Sequence, residues 1–214
     1  MGVLDLSAQT LKLWWIFLKS VDSRFKSCSS AVKSCSLFII LTLFGALLPN
    51  SGQSQTATPE YKIKAVFLFN FAQFVEWPET AFADEKSPFV IGVLGTDPFG
   101  KTLDETVEGE IIRDRKIEVR RYKTTNEIGN CHVLFISTSE MAKMDSIVAS
   151  LKGRSILTVS DSEEFAKRGG MIRLYTDKNK IRMRINLEAA RAQNLSISSK
   201  LLQLAEIVPT EKKP

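Results

Sequence analysis

The sequence predicts one compact α/β domain with a mixed, mostly parallel sheet, helices on both faces, and a C-terminal β-hairpin followed by helices. Three observations predict it. From residue 58 to 210, short apolar runs alternate with segments of helical period, the pattern of strands and helices taking turns. Phe89–Gly95 (FVIGVLG) and His132–Ser137 are almost continuously apolar, as strands covered on both faces must be. Met171–Thr176 and Lys180–Asn186 alternate strictly instead, and flank a short polar turn.

Residues 1–57 read as an N-terminal extension and an address. Arg24, Lys26 and Lys33 precede the apolar run Leu37–Leu48, and small polar residues follow it, with Gly52 and Ser54 suited to a cleavage site and Ala57 a second candidate. A run of that length is short of the about 20 residues a membrane span needs, so the layout is that of a secretory signal. The expected destination is the periplasm, with membrane association as the outcome if the signal stays uncleaved. Residues 1–22, with Trp14 and Trp15, are unusual for a signal; a start site set too far upstream would explain them.

The whole chain has 29 Lys+Arg and 24 Asp+Glu, a net charge of +5. Residues 55–214 hold 24 Lys+Arg against 22 Asp+Glu, so most of the excess belongs to the address. No basic run with interleaved aromatics is present, and nucleic acid is not an expected partner.

The first helix is expected over residues 60–77. At 100° per residue Ile63, Phe67, Phe71 and Phe74 share one face, while Lys62, Asn70, Gln73 and Glu76 mark a polar sector. Val66, Phe69 and Trp77 fall inside that polar sector. Either neighbouring structure buries them, or they form an apolar strip for a partner or a second copy of the chain.

After Phe89–Gly95, Thr96-Asp97-Pro98 leads into a helix with Pro98 at its first position. The spacing of Gly92, Gly95 and Gly100 does not fit a dinucleotide fingerprint, and Asp97 would repel a phosphate. Lys116–Tyr122 is the next strand, then Cys131–Ile136, an amphipathic helix Glu140–Leu151, a strand Ser155–Ser160, and a helical turn Glu163–Arg168 closed by Gly169-Gly170. In the hairpin, Lys178-Asn179 forms the turn, which pairs Tyr175 with Arg182 and Arg173 with Arg184. One hairpin face is apolar (Ile172, Leu174, Ile181, Met183, Ile185) and the other strongly cationic. Opposed arginines repel by roughly 0.2–1 kcal/mol, so either local carboxylates relieve them or an acidic partner binds there. Asn186 and Ser198 are N-caps for two closing helices, and residues 211–214 are a tail.

At this point the residues carry a resemblance. Gly169-Gly170-Met171-Ile172, Ile185-Asn186-Leu187 with Ala189-Ala190-Arg191, and Leu195-Ser196-Ile197-Ser198-Ser199-Lys200-Leu201-Leu202 resemble the C-terminal signature of the YfiR family. Tyr61–Ala65, Phe71 and Phe74-Val75-Glu76-Trp77-Pro78 are similar to that family's first helix, and Phe89–Gly95 to its first strand. The resemblance implies a compact α/β domain in a periplasmic protein that binds an inner-membrane signalling enzyme. In the best-known system that enzyme is a diguanylate cyclase and the protein represses it; related domains fused to sensor kinases are the other association the family implies. Some relatives carry disulfides. Downstream of the expected cut this chain has Cys131 alone, which removes a redox switch within one chain.

Catalytic signals are sparse. His132 is the one histidine, and its neighbour Cys131 points to the opposite strand face. No zinc spacing, nucleophile elbow or cofactor motif is present. Asp161, Glu163 and Glu164 cluster near a strand end and are expected to be a solvated acidic loop. The expectation is therefore a non-catalytic regulatory protein without cofactor or metal. Its contacts are expected at Val66, Phe69, Trp77, Arg173, Tyr175, Arg182 and Arg184, read from phase and alternation. A small-ligand sensor acting with a sensor kinase or transporter is the alternative, and an exported enzyme of unrecognised type the third reading.

Overall fold

A computed structural model of the chain describes residues 57–210. The signal segment, the tail and their expected roles lie outside the described residues.

The helix α1 (Pro59–Phe74) opens the domain, and β1 (Val75–Glu76) leaves it. Then come β2 (Phe89–Leu94), α2 (Lys101–Val107), the hairpin β3 (Ile111–Ile112) and β4 (Arg115–Tyr122), β5 (Val133–Ile136), α3 (Met144–Ser150) and β6 (Leu157–Ser160). The chain ends with β7 (Ile172–Asp177), β8 (Lys180–Ile185), α4 (Leu187–Arg191), β9 (Ser196–Ile197), α5 (Ser199–Leu202) and β10 (Glu206–Ile207). Eight strands form one sheet in the order β10-β8-β7-β6-β5-β2-β4-β3. The pairs β7–β8 and β3–β4 are antiparallel and the others parallel. β1 and β9 pair separately, Val75 opposite Ile197. The expected mixed, mostly parallel sheet is what the chain forms. Among the described residues no helix is long and apolar enough to cross a membrane.

Alternation along β2 divides the core. Phe89, Ile91 and Val93 join Phe135, Val159, Ile172, Leu174, Met183 and Ile185 under α1 and α2. Val90 and Leu94 point the other way, to Leu134, Ile136 and the α3 residues Met144 and Ile147. Both faces of β2 are buried, hence its unbroken apolar run.

Several expected elements differ. α1 buries Lys64, Ala65, Leu68, Phe71 and Ala72, while Ile63 is 43% exposed and Phe67 and Phe74 are half-buried. Ala65, Leu68, Phe71 and Ala72 face inward, while the Phe67 and Phe74 rings lie at the flanks of the contact. The helix ends at Phe74 because Pro78 biases the chain before it to extended backbone. Trp77 therefore leaves the helical phase. It is 6% exposed, packs edge-on to Phe89 at 5.1 Å, and its Nε1 donates to the His132 carbonyl at 3.2 Å. Trp77 is a core residue, not part of a surface strip.

The helix after β2 starts at Lys101 rather than at Pro98, because Asp97 Oδ1 accepts from Phe99 N at 2.7 Å and holds a turn there. The expected helix Glu140–Leu151 splits into a 3-10 turn, Thr138–Lys143, and α3. Glu163–Arg168 forms turns rather than a helix, ending at Gly169 with φ +93°.

Candidate partner-binding surface

The hairpin β7–β8 supplies the cationic face. Lys178 and Asn179 take φ of 48° and 60°, the left-handed pair that suits a two-residue turn to the twist of the strands. The resulting register sets Tyr175 opposite Arg182 and Arg173 opposite Arg184, as the alternation predicts. Leu174, Met183 and Ile185 are consigned to the core on the α1 side. Arg173, Tyr175, Arg182 and Arg184 lie on the opposite face.

Two guanidinium groups lie near the Tyr175 ring, each 5.0 Å from its centroid: Arg173 from its own strand and Arg184 from β8. Each cation gains from the ring's negative face, which offsets part of their mutual repulsion. Arg184 Nε also donates to Glu206 Oε2 at 2.8 Å, and that bond raises its already high pKa. Neither Arg173 nor Arg182 forms an ion pair among the described residues, and the Arg173 Nε is buried without a hydrogen-bond partner. Among the described residues Glu206 is thus the one carboxylate in an ion pair with any of the three guanidinium groups, an arrangement suited to receive another anion.

The expected acidic trio does not converge. Asp161 is not a solvated loop residue: its side chain is 10% exposed, and Oδ2 accepts from Tyr61 Oη at 2.6 Å and Lys64 Nζ at 2.7 Å. Lys64 also pairs with Glu60 at 2.8 Å and lies 4.5 Å from the Tyr61 ring. Burial, followed by the Asp161 bond, raises the Tyr61 hydroxyl's pKa, and the Lys64 bond lowers that of Glu60. Glu163 instead acts on Arg184 across the other face, and Glu164 pairs with Lys167 at 3.7 Å. The Lys64–Asp161 pair was hidden from sequence reasoning because 97 residues separate its members.

Val66 and Phe69 are half-buried on α1, beside exposed Lys62 and Ile63. They do not meet the arginines: α1 covers one face of the sheet, and the cationic side chains project from the other.

An open parallel sheet usually holds a ligand where its strand order reverses, beyond the strand ends. Here that point lies between β2 and β5, and the chain's own residues fill it. Thr96 N donates to Ser139 Oγ at 3.0 Å, and a Cβ on Gly95 would come within 2.5 Å of Ser139 Oγ and 2.8 Å of Glu140 Cγ. Among the described residues no group of three or more His, Cys, Asp or Glu is placed to hold a metal ion.

No curated protein matches the sequence. A solved structure described as the ABC domain in complex with L-Trp from Streptococcus pneumonia is similar at 11% identity and a TM-score of 0.47. The alignment covers 70% of this chain and spans 60% of that one. The model of the YfiR/HmsC-like family matches residues 61–206, from the first turn of α1 to the start of β10, and the chain belongs to that family.

Proposed function

We propose that this protein is an exported, non-catalytic regulator that binds the periplasmic part of an inner-membrane signalling enzyme, such as a diguanylate cyclase, and represses it. The family membership supports a regulatory role. The observation that carries the contact is the hairpin face, where Arg173 and Arg184 oppose each other with Glu206 as their one paired carboxylate. An acidic partner surface would relieve that repulsion and set orientation through charge. The contact residues are Arg173, Tyr175, Arg182 and Arg184; Val66 and Phe69 belong to a separate surface on α1, suited to a second contact or a second copy. A periplasmic ligand sensor is the weaker reading, because Ser139 and Glu140 fill the crevice where an α/β sheet would seat a solute.

The test is cyclic di-GMP content in cells that lack the gene and carry wild-type protein, an Arg173→Glu/Arg182→Glu variant, or a Phe69→Asp variant. Wild-type protein lowers cyclic di-GMP, and the arginine variant, exported and folded to the same level, does not. If the arginine variant represses fully and Phe69→Asp does not, the contact belongs to α1. If wild-type protein leaves cyclic di-GMP unchanged, the cyclase is not the target.

A further inference from the structure

The far edge of the sheet is left open along most of its outermost long strand. β4 has eight residues, and β3 pairs with two of them, Lys116 and Arg115. Backbone groups alternate in direction along a strand. The Tyr122 carbonyl accepts from Gly95 N on the β2 side, at 3.0 Å. Glu118 and Arg120, in step with Tyr122, therefore also bond toward β2. Ile117, Val119 and Arg121 turn their N–H and C=O groups outward, to an edge with no neighbour among the described residues.

A groove of about 610 Å³ runs beside this edge, between β4 and α2. Its floor is apolar: Val107 is buried, and Ile117 and Val119 are partly buried against the core. Ile111, 61% exposed, stands at the rim. Exposed Glu105, Glu108 and Glu110 line it without an ion pair among the described residues, against two lysines, Lys101 and Lys116. Asp104, also in the wall, is already held by Arg121.

The rim is pinned. Arg113 and Asp114 form the β3–β4 turn at φ of 51° and 62°. Arg113 Nη2 donates to the Val75 carbonyl at 2.9 Å, and Arg115 Nη1 to the Ser87 carbonyl at 2.7 Å. A rigid edge loses little entropy when a strand docks on it.

We propose that this edge takes an extended segment of a partner protein as an added antiparallel strand, continuing β3 along Ile117–Arg121. Outward N–H and C=O groups at every second residue are complemented by another extended backbone, and side chains at alternate positions of that backbone enter the groove. The floor asks for apolar residues at those positions, and the glutamates ask for a lysine or arginine among them. This edge lies at the opposite end of the sheet from the cationic hairpin, so the inference goes beyond the proposed function and does not depend on it.

The test uses the full chain and a capped seven-residue probe, Thr-Val-Thr-Val-Thr-Lys-Thr, followed by amide resonances and amide hydrogen exchange. The expected result is slowed exchange at Ile117, Val119 and Arg121, with shifts at Ile111 and Val107. A Glu105→Lys/Glu108→Lys variant, altered only at exposed positions, should bind the probe about tenfold more weakly and prefer a version with Glu in place of Lys. Absence of binding, binding elsewhere, or equal affinity of both probes for wild type and variant overturns the proposal. So does concentration-dependent protection of the same amides in protein alone, which would give the edge to a second copy of the chain.

Discussion

Arg173 and Arg184 stand directly opposite each other on the β7–β8 ladder, and each places its guanidinium 5.0 Å from the same Tyr175 ring. Arg184 has Glu206 to neutralise it; Arg173 has no carboxylate among the described residues. A residue held against like charge in this way contributes little to folding. We expect Arg173→Gln to change stability by less than about 1 kcal/mol, in the range of a cross-strand pair. The midpoint of urea unfolding measures it. A loss of twice that size would make the contact with the Tyr175 ring a structural device and weaken the case for a binding face.

Lys64 and Asp161 should behave in the opposite way. Lys64 is 2% exposed, and its ammonium group lies between Asp161 and Glu60. Removing one partner leaves a buried charge short of its counter-ion, a loss of about 3–5 kcal/mol for a fully buried pair. Glu60 remains to share the ammonium, so Asp161→Leu should fall at or below the low end of that range. Lys64→Met combined with Asp161→Leu should recover much of the loss, since the joint change removes the unpaired charge. Denaturant titration of the two single variants and the double variant decides it. Additive losses would mean that the two side chains act independently.

Much of the fold was legible because its signals are local. The hairpin register follows from strict alternation and a turn that tolerates positive φ, both contained in Met171–Asn186. The caps were equally local: the Asn186 side chain accepts from Ala189 N at 2.9 Å, and that of Ser198 from Leu201 N at 3.4 Å. The two-residue strands β1, β3, β9 and β10 were not legible, because two residues carry no period. Helical phase misplaces Trp77, because nothing in the period itself marks the end of α1 at Phe74. The cationic face was legible as a pattern, but Glu206, 22 residues beyond Arg184, was not. The open edge of β4 was invisible for the same reason: strand order is set by packing across the whole domain, not by any one segment.

Cys131 is buried, and burial pushes its thiol up to about 12. Its Sγ donates to the Val133 carbonyl at 3.3 Å, within the cluster that holds Val90, Tyr122 and Leu134. Thiolate is the reactive form, so native protein should leave Cys131 unmodified by iodoacetamide at pH 8 and take up one label there after denaturation. Peptide mass mapping separates this site from Cys28 and Cys35. Rapid native labelling of Cys131 would show that this part of the core opens readily.

His132 links stability to acid. It is 1% exposed, and its ring runs nearly parallel to those of Phe82 and Phe89, with centroids at 4.5 and 4.8 Å. Its Nδ1 accepts from Val90 N at 2.9 Å, which requires an unprotonated nitrogen there. Its Nε2 lies toward the Ala81 carbonyl, short of a full hydrogen bond. Burial, above all, lowers the imidazole's pKa to about 4 from the ordinary 6.5. The folded state therefore binds fewer protons than the unfolded state between those values, and stability rises with pH across that window. The contribution is present in full above pH 6.5 and is lost as pH falls toward 4, on the order of 3 kcal/mol at 1.36 kcal/mol per unit. In His132→Asn the side-chain oxygen takes the place of Nδ1 and can still accept from Val90 N but does not titrate, so the variant is expected to be less stable at pH 7 yet flatter between pH 6.5 and 4. Parallel urea titrations at pH 7, 5.5 and 4.5 measure the slopes. Equal slopes in the two proteins would assign the acid sensitivity to other groups and leave His132 as packing alone.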